Sequence, residues 1–298
     1  MSNKAGYLFV IAAALLWAAS GTASKFLFAA GITPIELVQF RAAGSAIFLA
    51  TWLAVRNTSL LKIARRDFAY FILLGALLAV TQFTYLFAID KTLVAVAILL
   101  QYQAPAVVAL YTLIVLRERL ARTTVIAIVC SITGCYLAVG AYNVDMITMN
   151  RVGIISGLCS AVTFALYTVK SEQGLRRYPP WTVLLYAFLV AAIIWNVVYP
   201  PFHAFTREHP LLIWWWIFFV TLFGTILPFG CYNLGIQRIR PAQASVTATL
   251  EPIAAAIISF MFLGEVLEPW QIIGGVLVVT SIIILQRKSA AGKIVPVA

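Results

Sequence analysis

Glu251, Arg41, Lys25 and Lys170 are charged residues inside long apolar stretches of a 298-residue chain. Ionisable groups are costly in such surroundings and ordinarily face a partner, a cavity or water. Glu251 lies deepest: it follows Pro241 by ten residues, about 15 Å at helical rise and near the middle of a bilayer. It reads either as a protonatable group that couples proton movement to movement of a ligand, or as a structural acid hydrogen-bonded beside Pro252. Arg41 reads as one half of an ion pair, with Glu36 or an acid on another helix, or as a coupling or gating group. Lys25 and Lys170 lie nearer opposite membrane ends, where they can extend toward water, serve gates or meet a ligand carboxylate. Pro105, Pro252 and Pro228 each remove a backbone hydrogen bond and kink a helix, as static shape or as a bending point for gating.

Polar and aromatic side chains recur around these charges at helical spacing. Ser156, Ser160, Thr163, Tyr167 and Lys170 form one stripe, Gln243, Thr247 and Glu251 a second, and Thr81, Gln82 and Tyr85 a third. Trp17, Ser20 and Ser24 share a face. Such stripes suit either close helix packing or a shared wet cavity. The candidate lining of that cavity is Trp17, Ser20, Lys25, Gln82, Tyr85, Gln101, Tyr102, Thr163, Tyr167, Tyr232, Thr247 and Glu251. The aromatic members can hold flat, apolar or cationic molecules by stacking and cation–π contact.

Other chemistries lack their residues. His203 and His209 share one short connection, and neither fits a metal-ligand pattern. Cys130, Cys135, Cys159 and Cys231 lie in apolar runs and read as packing residues. No glycine loop of the form GxxxxGK[ST] suggests a nucleotide-driven pump, and no paired acids mark a hydrolytic centre. No metal and no cofactor is expected. An integral membrane enzyme is thereby the weaker alternative to a carrier; a channel for small solutes is another.

The elements that position these residues follow from composition. Hydrophobic residues make up 63% of the chain and charged residues 10%, with a mean hydropathy of +0.98. A soluble domain is about half apolar and about a quarter charged, so a cytosolic enzyme, a disordered tail and a nucleic-acid-binding module are excluded. Apolar runs predict an all-α integral membrane protein with ten transmembrane helices at about 6–28, 34–55, 68–89, 94–116, 122–141, 153–172, 181–200, 211–235, 242–263 and 269–286. The first run, with Lys4 before it and Gly21-Thr22-Ala23-Ser24 at its end, also fits a cleavable leader; cleavage would remove the partner of a later segment. Lys and Arg concentrate in alternate connections, whereas the opposite ones hold Lys91, Arg151 and Arg207. That asymmetry places both termini in the cytoplasm. It also assigns the net charge of +11 to topology and lipid headgroups, not to nucleic acid.

A shift of 147 residues brings the chain into register with itself. Tyr85 falls on Tyr232, Ile89 on Ile236, Pro105 on Pro252, Glu118 on Glu265 and Leu120 on Leu267. Two five-helix units, 1–147 and 148–298, would enter the membrane in opposite orientations, because five is odd. Inverted repeats of this kind place a ligand site near the midplane between the halves. Glu118 and Glu265 occupy equivalent turns and read as capping or loop residues.

Leu250-Glu251-Pro252, Leu263-Gly264-Glu265 and Gln271-Ile272-Ile273-Gly274 resemble the C-terminal repeat of EamA-type transporters, in the drug/metabolite transporter superfamily. Trp17, Arg41, Pro105 and Glu118 resemble recurrent positions of the first repeat. The resemblance implies ten helices in a 5+5 inverted repeat, and alternating-access export of small metabolites across a bacterial inner membrane. It also implies a cavity among helices one, three, four, six, eight and nine, with helices five and ten as support. General similarity is greatest to aromatic amino-acid exporters of the YddG type. The expected partners are small amphiphiles such as amino acids, the lipid bilayer, and protons if Glu251 couples them. One departure stands out: Phe188 occupies the place of Arg41 in the second repeat.

Overall fold

In lipid, a backbone must satisfy its own hydrogen bonds, and a continuous apolar run does so as a helix. A computed structural model of the chain describes residues 3–104, 107, 122–138, 144–199, 203–239, 244, 247–248 and 250–291, and among these there are only helices, turns and short connections. The helices are α1 (Asn3–Ala29), α2 (Pro34–Arg56), α3 (Phe68–Lys91), α4 (Val94–Gln101), α5 (Arg122–Ala138), α6 (Val144–Leu175), α7 (Pro180–Val198), the short α8 (His203–Thr206), α9 (Leu211–Thr221), α10 (Leu227–Ile236), α11 (Leu250–Leu263) and α12 (Pro269–Ala291). A single π-helical turn, Leu222–Ile226, joins α9 to α10.

Six continuous helical stretches among the described residues are long and apolar enough to cross a membrane: Lys4–Ala29, Pro34–Arg56, Arg65–Lys91, Asn150–Leu175, Pro180–Val198 and Leu211–Ile236. Of the other expected spans, the described part of the fourth ends at Gln101, α5 covers 17 residues and α11 14, whereas α12 runs for 23. Pro105, Glu118 and Gln243 lie outside the described residues. The expected boundary at 153 falls nine residues late, because Val144–Asn150 contains no proline or glycine and already belongs to the helix. Arg151 therefore belongs to α6 and not to a connection.

Local chemistry fixes the helix ends. Thr33 accepts from the Glu36 backbone N–H while the Glu36 carboxylate accepts from the Thr33 N–H, a reciprocal cap with Pro34 as the first helical residue. At the other end of the chain Gly264 takes φ +67°, a left-handed conformation that terminates α11 and costs a glycine little.

The packing pairs join the two halves of the sequence. α1 packs on α10 and α11, α3 on α6 and α7, α2 on α7, α4 on α6 and α11, and α5 on α12. Under the 147-residue shift the packing of α3 on α6 recurs as that of α10 on α1, and α5 on α12 maps onto itself. Buried residues from both halves share the main core, among them Val10, Ala18, Leu86, Ile98, Tyr232 and Ala255.

Candidate functional site

Two prolines prepare the site. Pro228 has no N–H to offer the Gly224 carbonyl four residues earlier, and Pro252 has none for the Ala248 carbonyl. Side chains from the first half of the chain take both. Arg41 Nη2 donates to Gly224 O at 3.1 Å, and its Nε donates to Thr225 Oγ1 at 2.7 Å. Thr225 Oγ1 in turn donates to Val220 O, five residues back, at 2.9 Å, so a side-chain bond ties down the π turn. Tyr102 Oη donates to Ala248 O, which also accepts from the Glu251 N–H at 2.9 Å.

Between these contacts lies a central cavity lined by Trp17, Arg41, Thr81, Gln82, Tyr85, Gln101, Tyr102, Ala104, Phe164, Phe229, Tyr232, Ala248 and Glu251. Its open space is ≈ 50 Å³ for the centre of a water-sized sphere, room for a few waters. Glu251 is 4% exposed. Tyr102 Oη lies 3.0 Å from Glu251 Oε2 and Tyr85 Oη 3.5 Å from Oε1, so two phenols face one carboxyl. Tyr85 also lies within electrostatic reach of Arg41, and all three line the same cavity. Trp17 packs on Phe229 and Tyr232 at ring separations of 5.1 and 5.3 Å, and Phe164 faces Tyr232 at 6.3 Å. The result is an aromatic wall with a carboxyl at one place and a guanidinium at another.

Of the residues expected to line the cavity, Trp17, Gln82, Tyr85, Gln101, Tyr102, Tyr232 and Glu251 do so, together with Arg41. Five others lie elsewhere. Ser20 is buried against Gly224, at a crossing where any Cβ on residue 224 would meet the serine side chain. The Thr163 hydroxyl turns back to its own helix, on Cys159 O and Ser160 O at 3.1 and 3.2 Å. Tyr167 packs behind the wall, edge-on to Phe229 at 6.0 Å, with Ser171 and Asn233 about its hydroxyl. Thr247 is half-buried beside Ala248 without joining the lining. The α6 stripe is partly a packing seam, since Ser156 donates to Thr84 O at 2.8 Å and Ser160 accepts from Gln101 Nε2 at 2.9 Å.

Lys25 belongs to a contact at one end of the bundle. Its ammonium donates to Ile89 O at 2.7 Å and Thr92 O at 2.5 Å, at the end of α3, and lies 3.9 Å from Glu265 Oε1. Glu265 Oε2 accepts from the Val94 N–H at 2.9 Å and so caps α4 from another helix pair. This clasp joins α1, α3, α4 and the α11–α12 connection. Burial raises the Glu265 carboxyl above the usual carboxylate range, against the opposing pull of the Val94 N–H and Lys25. At the other end, Asp67 binds Arg177 at 3.0 Å and Tyr178 at 2.6 Å, and Tyr70 Oη donates to Lys170 O at 2.7 Å. Lys170 itself is half-buried there, away from the cavity. The expected pair between Arg41 and Glu36 does not form: Glu36 binds Arg207 at 2.9 Å, because the reciprocal cap holds its carboxylate at the start of α2. Pro252 lines an apolar groove on α11 and α12.

Thr81, Phe164, Phe229, Ala104 and Ala248 line the cavity without having been candidates. The 147-residue shift reaches four of them. It pairs Trp17 with Phe164, Gln82 with Phe229, Gln101 with Ala248 and Ala104 with Glu251, beside Tyr85 with Tyr232, and every member of these pairs lines the cavity.

The EamA-like transporter family model matches residues 4–140 and again residues 151–287. The chain belongs to the EamA-like transporter family. A protein named an uncharacterized inner membrane transporter, YicL, of Salmonella typhimurium is 26% identical over 97% of each chain. A protein of Archaeoglobus fulgidus named an uncharacterized transporter is 28% identical over 70% of this chain and 73% of its own. A protein of Bacillus subtilis named an uncharacterized transporter, YwfM, is 25% identical over 94% of this chain and 93% of its own. Among solved structures, one crystal structure of a protein matches with a TM-score of 0.66 over 97% of this chain and 99% of that one; at 17% identity it bears on the fold alone. This EamA-like chain is accordingly a multi-pass membrane protein and a membrane transporter.

Proposed function

We propose that this EamA-like protein is a secondary transporter with ten membrane helices, built from inverted five-helix halves, 1–147 and 148–298. It exports small amphiphilic metabolites, foremost amino acids and aromatic ones among them, by alternating access. One observation carries the reading: equivalent positions of the two halves converge on one central cavity that presents Glu251, Arg41 and an aromatic wall. A free amino acid matches that set, with an ammonium, a carboxylate and a side chain that aromatic rings can hold. The small open volume suits a closed stage of the cycle, with the Lys25 clasp at the outer end and the Asp67 cluster at the inner one. Both termini then face the cytoplasm, and the halves open the cavity to either side in turn. The paired repeats of the family match and the packing pairs that the 147-residue shift interchanges support the two-fold arrangement. The resemblance to exporters of the YddG type supports aromatic cargo.

Counterflow in proteoliposomes tests the reading. Labelled phenylalanine or tryptophan is expected to accumulate against an excess of the same unlabelled compound inside. Conductive flux without exchange would favour a channel, and absence of any amino-acid flux would end the cargo assignment. Glu251 is the candidate proton carrier. Glu251→Gln is expected to lose uptake driven by a pH gradient, and full gradient-driven uptake by that variant would remove protons from the mechanism.

A further inference from the structure

Arg41 is 3% exposed and forms no ion pair among the described residues. A guanidinium carries five N–H donors, and the bonds to Thr225 Oγ1 and Gly224 O use two of them. A buried charge held only by neutral acceptors is expensive, and an anion placed against it recovers much of that cost. Gln82 lines the same cavity, is 6% exposed, and has neither amide atom in a hydrogen bond among the described residues. An unpaired buried amide is likewise costly, and its NH2 group is a ready donor to an oxyanion. Glu251 lines the same cavity with the hydroxyls of Tyr85 and Tyr102 on it, so the chamber presents an acid as well as the guanidinium and the amide.

We infer that Arg41 and Gln82 form a carboxylate subsite, and that a bound amino acid lies with its carboxylate on them and its ammonium toward Glu251. This rests on the amino-acid reading and adds a polarity to it. The geometry also joins binding to helix shape. The guanidinium that takes the carboxylate is the one that fills the carbonyl freed by Pro228 and holds Thr225, so ligand arrival acts on the π turn directly.

The test compares phenylalanine with phenethylamine, which lacks only the carboxylate, as counterflow substrates and as competitors. The wild-type protein is expected to prefer phenylalanine by about tenfold or more, the scale of a charge-assisted hydrogen bond. Arg41→Gln and Gln82→Met are expected to erase that preference, losing phenylalanine flux while phenethylamine flux persists. Arg41→Lys, which keeps the charge and loses the planar fork, is expected to fall between. Equal loss of both compounds in Gln82→Met, or a preference unchanged in either variant, would overturn the subsite. Should Arg41→Gln fail to reconstitute, Gln82→Met decides by the same ratio, since it breaks no hydrogen bond. A wild-type protein that carries both compounds alike would overturn the subsite and leave transport standing. One that carries neither would overturn the amino-acid reading, and the subsite with it.

Discussion

Tyr102 performs two tasks with one hydroxyl, donating to the Ala248 carbonyl and lying 3.0 Å from Glu251. Tyr102→Phe strips both at once and leaves Glu251 with Tyr85 alone at 3.5 Å, a long and weak contact. The expected cost is about 1.5–3 kcal/mol, seen as a lower unfolding midpoint in detergent; Tyr85→Phe is expected to cost less, and an inverted order would contradict this account. At this scale the sequence was informative where a residue contrasts with its surroundings. Glu251, Arg41 and Gln82 are conspicuous because polar groups are rare in apolar runs. Phe164 and Phe229 are not, because one more phenylalanine in a membrane helix carries no contrast, although the repeat leads to both from Trp17 and Gln82. Thr163 misled in the opposite way: its hydroxyl has its own helix to bond, and neighbouring Phe164 is about 100° round the axis.

The π turn at Leu222–Ile226 sets the facing of everything that follows it on α10. Hydropathy cannot register it, since one residue more or less leaves an apolar run unchanged, whereas Pro228 announces the freed carbonyl beside it. Deleting Phe223 is expected to restore α-helical register and turn Phe229 and Tyr232 by about 100° off the cavity. Transport would then be lost with helix content, read by circular dichroism, intact; retained transport would argue against a set facing. The clasp at the other element ends responds to pH. Glu265 holds its proton more tightly when clasped than when exposed, so protonation favours the clasp. Its contribution is complete below the ordinary carboxylate range and is lost as pH rises through the raised value. Amide exchange at Val94, corrected for intrinsic rate, is expected to slow on acidification, and Glu265→Gln is expected to abolish that dependence. Lys25 is a candidate for the cavity, for a gate or for a reach to water; it serves carbonyls at the end of α3, a partnership between distant segments that no local spacing encodes.

Over the whole chain, the distribution of Lys and Arg is the feature with the plainest consequence. Epitope tags at the two ends are expected on the same, cytoplasmic face, protected from protease in intact right-side-out vesicles and cut in inverted ones; opposite accessibility of the two tags would break the even-pass scheme. The all-helical membrane class was legible from composition, and the double family match from the repeat that the Pro and Glu pairs mark. The interleaving was not, because periodicity describes each helix separately and says nothing of which helix it meets. The cavity adds a last consequence. Its base comes from the first half and its acid from the second, while Ala104 stands opposite Glu251 and Phe188 stands at the place of Arg41. A dimer made of either half alone would hold two like charges or none of the other sign. On the proposed amino-acid cargo, linking unlike copies into a single polypeptide would let one chamber read both ends of a dipolar guest.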